Sequence, residues 1–461
     1  MLVLLGLLIT DGHARPQRTA DPDIEAVAAQ LLGRALTTND AYEELVELCD
    51  DIGNRLTGSP ELERAVEWAT AKLAADGLDA RAEPVTVPVW RRNAESATLL
   101  APLERELNVL GLGWSVGTGS DGVTGEVVVV DDFDHLERLP RSEIEGKIVL
   151  WDVPFSTYGQ TVQYRSRGAS EAARKGAVAS LVRSVTPQSL STPHTGAQRY
   201  AEDAPRIPAM AITVEDALAM RRWQDRGKTV KVHLQMGAEE LPDQQSANVV
   251  ADLRGRERPE EYVLLGCHLD SWDVGQGAQD DGAGCVIAMD AARLIAELDV
   301  RPRRSIRVVL FTNEESGLAG GKAFAAAHSS DTYVAAIEAD TGAGAPEGFR
   351  VDVRRGDDTD RLQARALERL GRWTPLLAPV GAGALESAWS GADIGPLVEI
   401  TGTLGLGLKN DTSGYWPIHH TPADTIDKVD AATLRRNVGA VAVMAWMLAE
   451  SSDTPLPVSD Q

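Results

Sequence analysis

The segment Tyr-Val-Leu-Leu-Gly-Cys-His-Leu-Asp at 262–270 joins a short apolar run to a histidine and an aspartate. Such a run has the length and composition of a buried β-strand, and the polar residues mark its end. Further strand-like runs at 306–311 and 334–337 alternate with helical patterns at 282–297 and 317–327. This alternation predicts an α/β fold, with a mixed, largely parallel central sheet flanked by helices.

The organisation of the chain follows from a change of pattern in the middle of the sequence. A length of 461 residues predicts two domains. Between about 96 and 236, short strands dominate, for example at 125–130 and 146–151, and the segment carries no cluster of His, Asp and Glu. We therefore expect a mostly β domain without chemistry of its own at 96–236, inserted into a discontinuous domain formed by 24–95 and 237–450.

Both ends of the chain are expected to lie outside the folded domains. Residues 1–9 are apolar, but a bilayer span needs about 20 residues. They resemble the apolar part of a secretory signal with a cut at Arg15, although the usual positive charge before the run is missing. Residues 1–23 are thus predicted to be a signal or disordered, which implies a secreted or periplasmic protein. A buried mature segment in a cytoplasmic protein is the alternative. The polar tail 451–461 is predicted to be disordered.

Charge, hydrophobicity and cysteine content argue against nucleic acid as a partner, against membrane insertion and against a disulfide framework. The formal net charge is −24 and the pI is near 4.8, so a phosphate backbone would be repelled and nucleic acid is not an expected partner. No other run is long enough to be transmembrane, so no stable membrane insertion is expected. Three cysteines, Cys49, Cys267 and Cys285, are too few for a disulfide framework.

Polar side chains follow three of the predicted strands directly. His268 ends the first, Glu314 and Glu315 follow the second, and Asp340 follows the third. Because the carboxyl ends of parallel strands meet at one edge of a sheet, we expect these groups to lie close together. A Gly-rich turn and a later loop contribute two further candidates. The potential metal ligands are then His268, Asp280, Glu315, Asp340 and His420.

Two imidazoles and three carboxylates suit a pair of zinc ions that share one carboxylate. Adjacent Glu314 and Glu315 repel each other unless cations balance their charges. Glu314 is not needed as a ligand, so it is free to act as a base on a metal-bound water. The set therefore predicts hydrolytic chemistry.

Several of these positions also have an ordinary structural explanation. Asp270 lies two residues after the strand-end histidine and on the same face of an extended segment. It either accepts the second N–H of a ligand histidine or forms a structural pair with it. Asp281 is a natural helix N-cap or has a supporting role, which leaves Asp280 as the better bridging ligand. One of His419 and His420 could be a surface histidine in its loop.

Several motifs resemble those of a known enzyme family. They are His-Leu-Asp-Ser-Trp-Asp-Val-Gly-Gln-Gly-Ala at 268–278, Asn-Glu-Glu-Ser-Gly at 313–317 and His-His-Thr-Pro-Ala-Asp-Thr at 419–425. In these motifs the chain resembles the co-catalytic di-zinc aminopeptidase family, most closely its plasma glutamate carboxypeptidase (carboxypeptidase Q) branch. The segments 145–150 and 173–179 resemble a protease-associated domain, an insertion typical of that branch. The similarity covers most of the chain.

The resemblance implies a zinc exopeptidase fold, two Zn²⁺ per chain and a role for each candidate residue. The implied ligand sets are His268 with Asp340 on one zinc, Glu315 with His420 on the other, and Asp280 as the bridge. Glu314 becomes the general base and acid, and Asp270 supports a ligand histidine. Asp393 matches a family loop near the substrate.

The family mechanism agrees with the one inferred from the residues, in which Glu314 assists attack of a metal-bridging hydroxide on a peptide carbonyl. Tyr415 and His419 are candidates for stabilising the oxyanion. Carboxylates such as Glu314, Asp340 and Asp393 favour a substrate ammonium, and the resembled branch acts largely on unblocked dipeptides. We therefore expect hydrolysis of dipeptides or short peptides with a free N-terminus.

Three alternatives stay open at this point. A basic residue such as Lys409 could capture a terminal carboxylate, which would make the protein a carboxypeptidase acting from the C-terminus. A glutaminyl cyclase uses the same scaffold but generally lacks the inserted domain. A non-catalytic, receptor-like relative would be expected to have lost ligands, and none is lost here. The resemblance also implies association as a homodimer.

Overall fold

The computed structural model describes residues 23–457. Residues 1–22 of the predicted signal segment and residues 458–461 of the predicted tail lie outside this range. Within it, the strands are β1 (Asp79–Arg91), β2 (Glu95–Ala101), β3 (Arg105–Leu107), β4 (Val109–Gly111), β5 (Val123–Val130), β6 (Ile148–Trp151), β7 (Ala179–Arg183), β8 (Ala209–Ile212), β9 (Lys231–Met236), β10 (Glu239–Leu253), β11 (Arg258–His268), β12 (Arg304–Phe311), β13 (Thr332–Glu338), β14 (Pro346–Asp352), β15 (Ala384–Ser387) and β16 (Leu404–Asn410). The α-helices are α1 (Ile24–Thr37), α2 (Asp40–Val46), α3 (Pro60–Ala75), α4 (Phe133–Arg138), α5 (Arg141–Ile144), α6 (Tyr158–Arg174), α7 (Val214–Gln224), α8 (Ala283–Ala296), α9 (Ala319–His328), α10 (Thr359–Gly371), α11 (Thr374–Leu377), α12 (Gly395–Thr401) and α13 (Ala431–Glu450). None of these described helices combines the length and the apolar character needed to cross a membrane.

The alternating strands and helices build an eight-stranded sheet in the order β1-β10-β12-β11-β13-β16-β14-β15. Its central strands β12, β11, β13 and β16 run parallel to one another. Strands β10 and β14 pair antiparallel with β12 and β16. The predicted α/β fold with a mixed central sheet flanked by helices is therefore confirmed.

The register of the central strands brings their carboxyl ends to one edge. His268 is paired with Phe311 across β11 and β12, and Gly266 is paired with Glu338 across β11 and β13. Residues that follow β11, β12 and β13 consequently emerge side by side. This edge is where an open α/β sheet normally binds its ligand.

Helices cover both faces of this sheet because its central strands are apolar on both sides, as parallel strands usually are. Val263 and Leu265 of β11 belong to one core cluster, together with residues of α1, α8 and α13. Leu264 points to the opposite cluster, with Phe324 of α9 and Leu397 of α12. Helix α8 is buried along almost its whole length, which fixes the turn that precedes it.

Two local features near the N-terminus follow from residue type. The Ser59 side chain accepts a hydrogen bond from the backbone N–H of Leu62 at 3.2 Å, so it caps α3. Strand β1, which contains Pro84 and Pro88, lies at the edge of its sheet. An edge position suits proline because it has no N–H to donate to a neighbouring strand.

A second eight-stranded sheet, in the order β3-β2-β9-β5-β6-β7-β8-β4, uses only strands between Glu95 and Met236. The chain leaves the first sheet along β1 and returns along β10, which pairs with β1. The second unit also contains α4 to α7, so helices are more prominent in it than the strand-rich pattern indicated. Helix α6 begins at Tyr158, where the Thr157 side chain caps it.

The prediction of a disordered tail is wrong for residues 451–457. Leu456 is buried in the core of the first unit. The backbone carbonyls of Ser451 and Pro457 accept hydrogen bonds from Arg304 at 2.5 Å and Arg355 at 2.9 Å. A polar composition does not reveal such anchoring, because backbone carbonyls and the Leu456 side chain hold the segment.

Candidate metal centre

Six acidic and histidine side chains converge beyond the carboxyl ends of β11, β12 and β13. They are His268 at the end of β11, Glu314 and Glu315 after β12, Asp340 after β13, Asp280 in the turn before α8, and His420 in the loop before α13. The structure therefore brings together all five predicted ligands and the predicted base.

Asp280 lies between two groups of ligand-type atoms. Its Oδ1 is 3.3 Å from His268 Nε2, and its Oδ2 is 3.2 Å from His420 Nε2. His268 Nε2 is also 3.5 Å from Asp340 Oδ1, and His420 Nε2 is 3.1 Å from Glu315 Oε2. Each oxygen of the shared aspartate thus has a ligand-type imidazole and a further carboxylate nearby, and His419 Nε2 is a second imidazole nitrogen 3.5 Å from Oδ2.

Two carboxylate oxygens of these groups lack a hydrogen-bond donor. Asp280 Oδ2 and Glu315 Oε1 are buried, and neither accepts a hydrogen bond from any residue between 23 and 457. Burying a carboxylate oxygen without a donor or a cation is costly in free energy. Two imidazole nitrogens and three carboxylates are a donor set that Zn²⁺ binds. The residues present therefore fit metal ions, and the two groups sharing Asp280 fit a pair of them.

The crowded carboxylates and imidazoles shift one another's pKa. Burial, and then the charges of Asp340 and Glu315, raise the pKa of Glu314 well above its usual range. Burial alone would lower the pKa of His420, but the Glu315 and Asp280 carboxylates outweigh it and raise that pKa to about 9. Bound cations reverse both tendencies, because they favour ionised carboxylates and neutral imidazoles.

Asp270 supports the site differently from the prediction. His268 Nδ1 donates to the backbone carbonyl of Asp270 at 2.8 Å, whereas the nearer carboxylate oxygen is 4.0 Å away. The carboxylate instead accepts from the Glu314 N–H at 3.0 Å and from the Thr57 hydroxyl at 3.2 Å. The prediction that the carboxylate accepts the second N–H of His268 is therefore wrong. The carbonyl does so, and the carboxylate fixes the backbone that carries Glu314.

Two buried carboxylates hold the backbone around Asp280 in place. Asp424 accepts hydrogen bonds from the N–H of Asp280 at 3.1 Å and from the preceding N–H at 2.7 Å. Asp281 accepts from the N–H of His268 at 3.2 Å and from an N–H in the first turn of α8 at 3.1 Å, as suits the supporting role expected of it. Asp424 was missed in the sequence, although it belongs to the motif at 419–425 and could have been found there.

Arg55 fixes the loop at 269–277 and was also missed. Its guanidinium is fully buried and donates to the carbonyls of Leu269 at 2.7 Å, Gln276 at 2.8 Å and Gly277 at 2.9 Å. It lies far from this loop in the sequence, in a segment with no recognisable motif, so no sequence signal pointed to it.

The structure distinguishes the two adjacent histidines. Their rings are stacked, with centroids 3.5 Å apart, and His420 has a positive φ of 60°. His420 Nε2 faces both Asp280 and Glu315, at 3.2 and 3.1 Å, whereas His419 Nε2 approaches Asp280 at 3.5 Å. Burial, and then the charge of His420, lower the pKa of His419 well below its usual range. His419 is therefore a neutral side chain beside the ligand-type histidine.

A cavity of about 750 Å³ opens beside the converging groups. Glu314 and Asp340 line it, as do Tyr415 and His419, the two residues predicted to stabilise an oxyanion. The side chain of Glu314 is 20% exposed and that of Asp340 is 22% exposed, so both carboxylates can reach a molecule in the cavity.

Asp393, predicted to lie near the substrate, is not among the residues that line the cavity. Its carboxylate is buried, and neither of its oxygens accepts a hydrogen bond from the described residues. The neighbouring backbone forms the wall instead, because the Glu338 carboxylate accepts hydrogen bonds from the N–H groups of Ala392 at 2.7 Å and Ile394 at 2.8 Å. Glu338 lines the cavity as well and was missed in the sequence.

The second unit supplies one wall of the cavity, through Tyr158 and Arg165 of α6. Arg165 donates to Tyr158 Oη at 2.8 Å and to the carbonyl of Thr195 at 3.1 Å. That carbonyl is also 3.2 Å from His420 Nδ1. A segment expected to have no chemistry of its own therefore contacts the ligand-type histidine directly.

Arg165 carries a charge that the described residues do not neutralise by an ion pair. It is only 6% exposed, its Nε lacks a hydrogen-bond partner, and no carboxylate between residues 23 and 457 lies within 4.0 Å of its guanidinium. Lys409, the predicted captor of a terminal carboxylate, pairs with Glu347 at 3.4 Å and Glu386 at 2.8 Å and does not line the cavity. A buried, unpaired guanidinium favours an anionic group in the cavity.

Comparisons with known proteins identify the family. The profile of peptidase family M28 matches residues 248–445. Carboxypeptidase Q from Bos taurus is 41% identical over 415 residues, which cover 89% of this chain and 86% of that protein. The Homo sapiens protein is 40% identical over 418 residues, covering 90% and 86%. This chain belongs to peptidase family M28. Among solved structures, a peptidase M28 precursor from Shewanella amazonensis SB2B has a TM-score of 0.88 at 37% identity, covering 95% of this chain and 99% of that one.

Membership of M28 makes the protein a metallopeptidase, and the predicted resemblance to carboxypeptidase Q is confirmed. The zinc aminopeptidase BSAP from Bacillus subtilis shares the fold, with a TM-score of 0.65 at 17% identity over 91% of this chain and 97% of that one. The M28 profile spans all six converging side chains. It begins after the second sheet, so it does not describe the unit that carries Arg165.

Proposed function

We propose that this M28 peptidase is a di-zinc exopeptidase that hydrolyses dipeptides or short peptides with a free N-terminus. The observation that carries the proposal is the shared Asp280, whose two oxygens face two different imidazoles, those of His268 and His420. In the proposal, His268 and Asp340 would hold one ion, Glu315 and His420 would hold the other, and Asp280 would contribute to both. The fit of the residues to zinc supports this assignment.

Glu314 carries the proton transfers in the proposed mechanism. Zinc held at the site would supply a Lewis acid for the peptide carbonyl and would lower the pKa of a nearby water molecule. Glu314 lines the cavity, and its Oε2 is 4.0 Å from His268 Nε2, so its carboxylate is placed to take a proton from a water molecule in the cavity. It then gives the proton to the leaving amine and so acts as both base and acid. Neutral His419 and the Tyr415 hydroxyl line the same cavity and can donate hydrogen bonds to the oxygen that becomes negative.

A free substrate N-terminus fits the acidic side of the cavity. Asp340 and Glu338 line that side, and a substrate ammonium is favoured there over a second negative charge. N-blocked peptides present no ammonium and would leave these carboxylates without their partner. This supports the proposed preference for unblocked substrates.

A second candidate function, hydrolysis that depends on the substrate C-terminus, is favoured by Arg165. Its unpaired guanidinium lines the cavity within 3.3 Å of His420, and one residue of extended chain spans about 3.5 Å. The α-carboxylate of a dipeptide bound across the metal centre can therefore reach it. In this case the acidic side of the cavity would bind the ammonium of a dipeptide and Arg165 its α-carboxylate.

We expect two zinc ions per chain, because five ligand-type residues with one shared carboxylate exceed a single tetrahedral set. Elemental analysis of the purified protein checks the number. Treatment with a chelator should abolish dipeptide hydrolysis, and added zinc should restore it. A fully active preparation without any transition metal would contradict the proposed centre.

We expect N-acetylation of a good dipeptide substrate to lower kcat/KM far more than C-terminal amidation does, because acetylation removes the ammonium from the acidic side of the cavity. Steady-state kinetics on the free, acetylated and amidated forms of one dipeptide measure the two effects.

Arg165→Gln serves as the matched variant. If Arg165 binds the carboxylate, this variant loses about 10-fold or more on the free dipeptide, the range for a charged hydrogen bond, and little on the amide. The opposite ranking of acetylation and amidation would make the enzyme a carboxypeptidase.

A further inference from the structure

Two buried cysteines lie behind the metal centre with their sulfur atoms in contact. Cys267 precedes the last residue of β11, and Cys285 lies in the first turn of α8. Their Sγ atoms are 2.8 Å apart, and both residues are fully buried. Cys285 Sγ also donates to the carbonyl of His268 at 3.0 Å. Neither thiol has a part in the proposed mechanism.

The surrounding elements leave the two sulfurs little freedom to separate. Helix α8 packs tightly at its start, where a Cβ on Gly284 would lie 1.9 Å from the carbonyl oxygen of Ala339. Both cysteines belong to the same core cluster as the apolar residues of β11 and α8. Because close packing resists rearrangement, the two thiols are held together by the fold itself.

We propose that Cys267 and Cys285 form a disulfide when the chain folds in an oxidising compartment. In this reaction each thiol gives up its hydrogen, and an Sγ–Sγ bond forms between the two residues. The oxidant is another disulfide, which takes up the two electrons and two protons and becomes two thiols. Since both sulfurs are inaccessible in the folded protein, the exchange takes place during folding, before β11 and α8 pack together.

The cross-link would close a ring from 267 to 285 that contains much of the metal centre. His268, Asp270, Asp280 and Asp281 all lie within it. A bond across the base of this ring restricts the unfolded chain, and so stabilises the folded state whether or not metal is bound. The cross-link depends neither on the proposed substrate nor on the number of zinc ions.

Thiol counting tests the proposal directly. The full chain is exported to a bacterial periplasm, denatured in the presence of an alkylating reagent without reductant, and weighed by mass spectrometry. We expect one alkylated cysteine, Cys49, and a peptide pair joined through 267 and 285. The same chain made in a reducing cytosol should show three alkylated cysteines. This control shows that the reagent reaches every cysteine when no disulfide is present. Three alkylated cysteines in the exported protein, or a disulfide that includes Cys49, would overturn the proposal.

Matched variants separate the cross-link from general effects of reductant. After removal of metal, reductant should lower the Tm of exported wild type and of Cys49→Ala, and should leave the Tm of Cys285→Ala unchanged. An equal fall in all three proteins would count against the cross-link. If Cys285→Ala does not fold, the thiol count on wild type and Cys49→Ala decides, with one and zero alkylated cysteines expected.

Discussion

Replacing Glu314 by Gln should lower kcat for dipeptide hydrolysis by at least about 100-fold, the lower range for general acid–base catalysis. Glutamine keeps the size of the side chain but cannot accept a proton from water. Because Glu314 lines the cavity and the Asp270 carboxylate holds its backbone N–H, the variant should fold and keep its zinc. Steady-state kinetics and elemental analysis on the same preparation measure both properties.

The neighbouring residue provides the control for this experiment. Glu315→Gln changes the same functional group one position along the chain, next to His420 rather than in the open cavity. It should lose zinc, and it should lose activity only as a consequence, so that excess zinc restores part of the rate. If Glu314→Gln lost zinc while Glu315→Gln kept it, the proposed base and ligand would have to be exchanged.

His420→Ala should remove most of the activity and about half of the bound zinc, whereas His419→Ala should keep both ions. The expectation rests on geometry, because His420 Nε2 faces Asp280 and Glu315 while His419 approaches Asp280 alone at a longer distance. Loss of a direct ligand should cost more than the roughly 10–100-fold that follows removal of a group supporting a ligand. His419→Ala tests the proposed oxyanion contact, so it should reduce kcat without changing the zinc content.

These two variants are closely matched, since they remove the same ring from adjacent positions in one loop. The decisive measurement is zinc per chain after dialysis against metal-free buffer. Loss of zinc from His419→Ala but not from His420→Ala would mean that the loop presents the other histidine to the metals. Equal loss from both would point to a disturbed loop, in which the tight stacking of the two rings matters more than either nitrogen.

The sequence predicted the parts of the site that depend on strand ends. Apolar runs gave β11, β12 and β13, and parallel order alone brings the residues after them to one edge, so His268, Glu314, Glu315 and Asp340 could be grouped without coordinates. The position of Asp280 followed from the Gly-rich turn before α8. These predictions need only local periodicity and one rule of sheet topology.

Contacts between distant segments could not be predicted in the same way. Arg55 donates to the carbonyl oxygens of a loop more than two hundred residues away. Every residue has a backbone carbonyl, so the pattern of side chains does not indicate which carbonyls accept these hydrogen bonds. Arg165 and Thr195 reach His420 only because the two units pack against each other. The role of the Asp270 carboxylate was misjudged for a related reason. The carboxylate accepts hydrogen bonds from a hydroxyl and a backbone N–H on other segments, and not from the histidine two residues before it.

The antiparallel pairing of β1 with β10 also dictates an order of assembly. Asp79 pairs with Asp252 and Arg91 with Glu239, so β1 leaves the ribosome long before its partner strand exists. All strands of the second sheet lie between β1 and β10 in the sequence, so they can pair with one another before β10 has been synthesised and β1 has its partner. Domains generally fold as units during synthesis, so the wall that carries Arg165 should be built before the sheet that carries the proposed metal ligands. The edge with the candidate site then closes against a surface that is already formed.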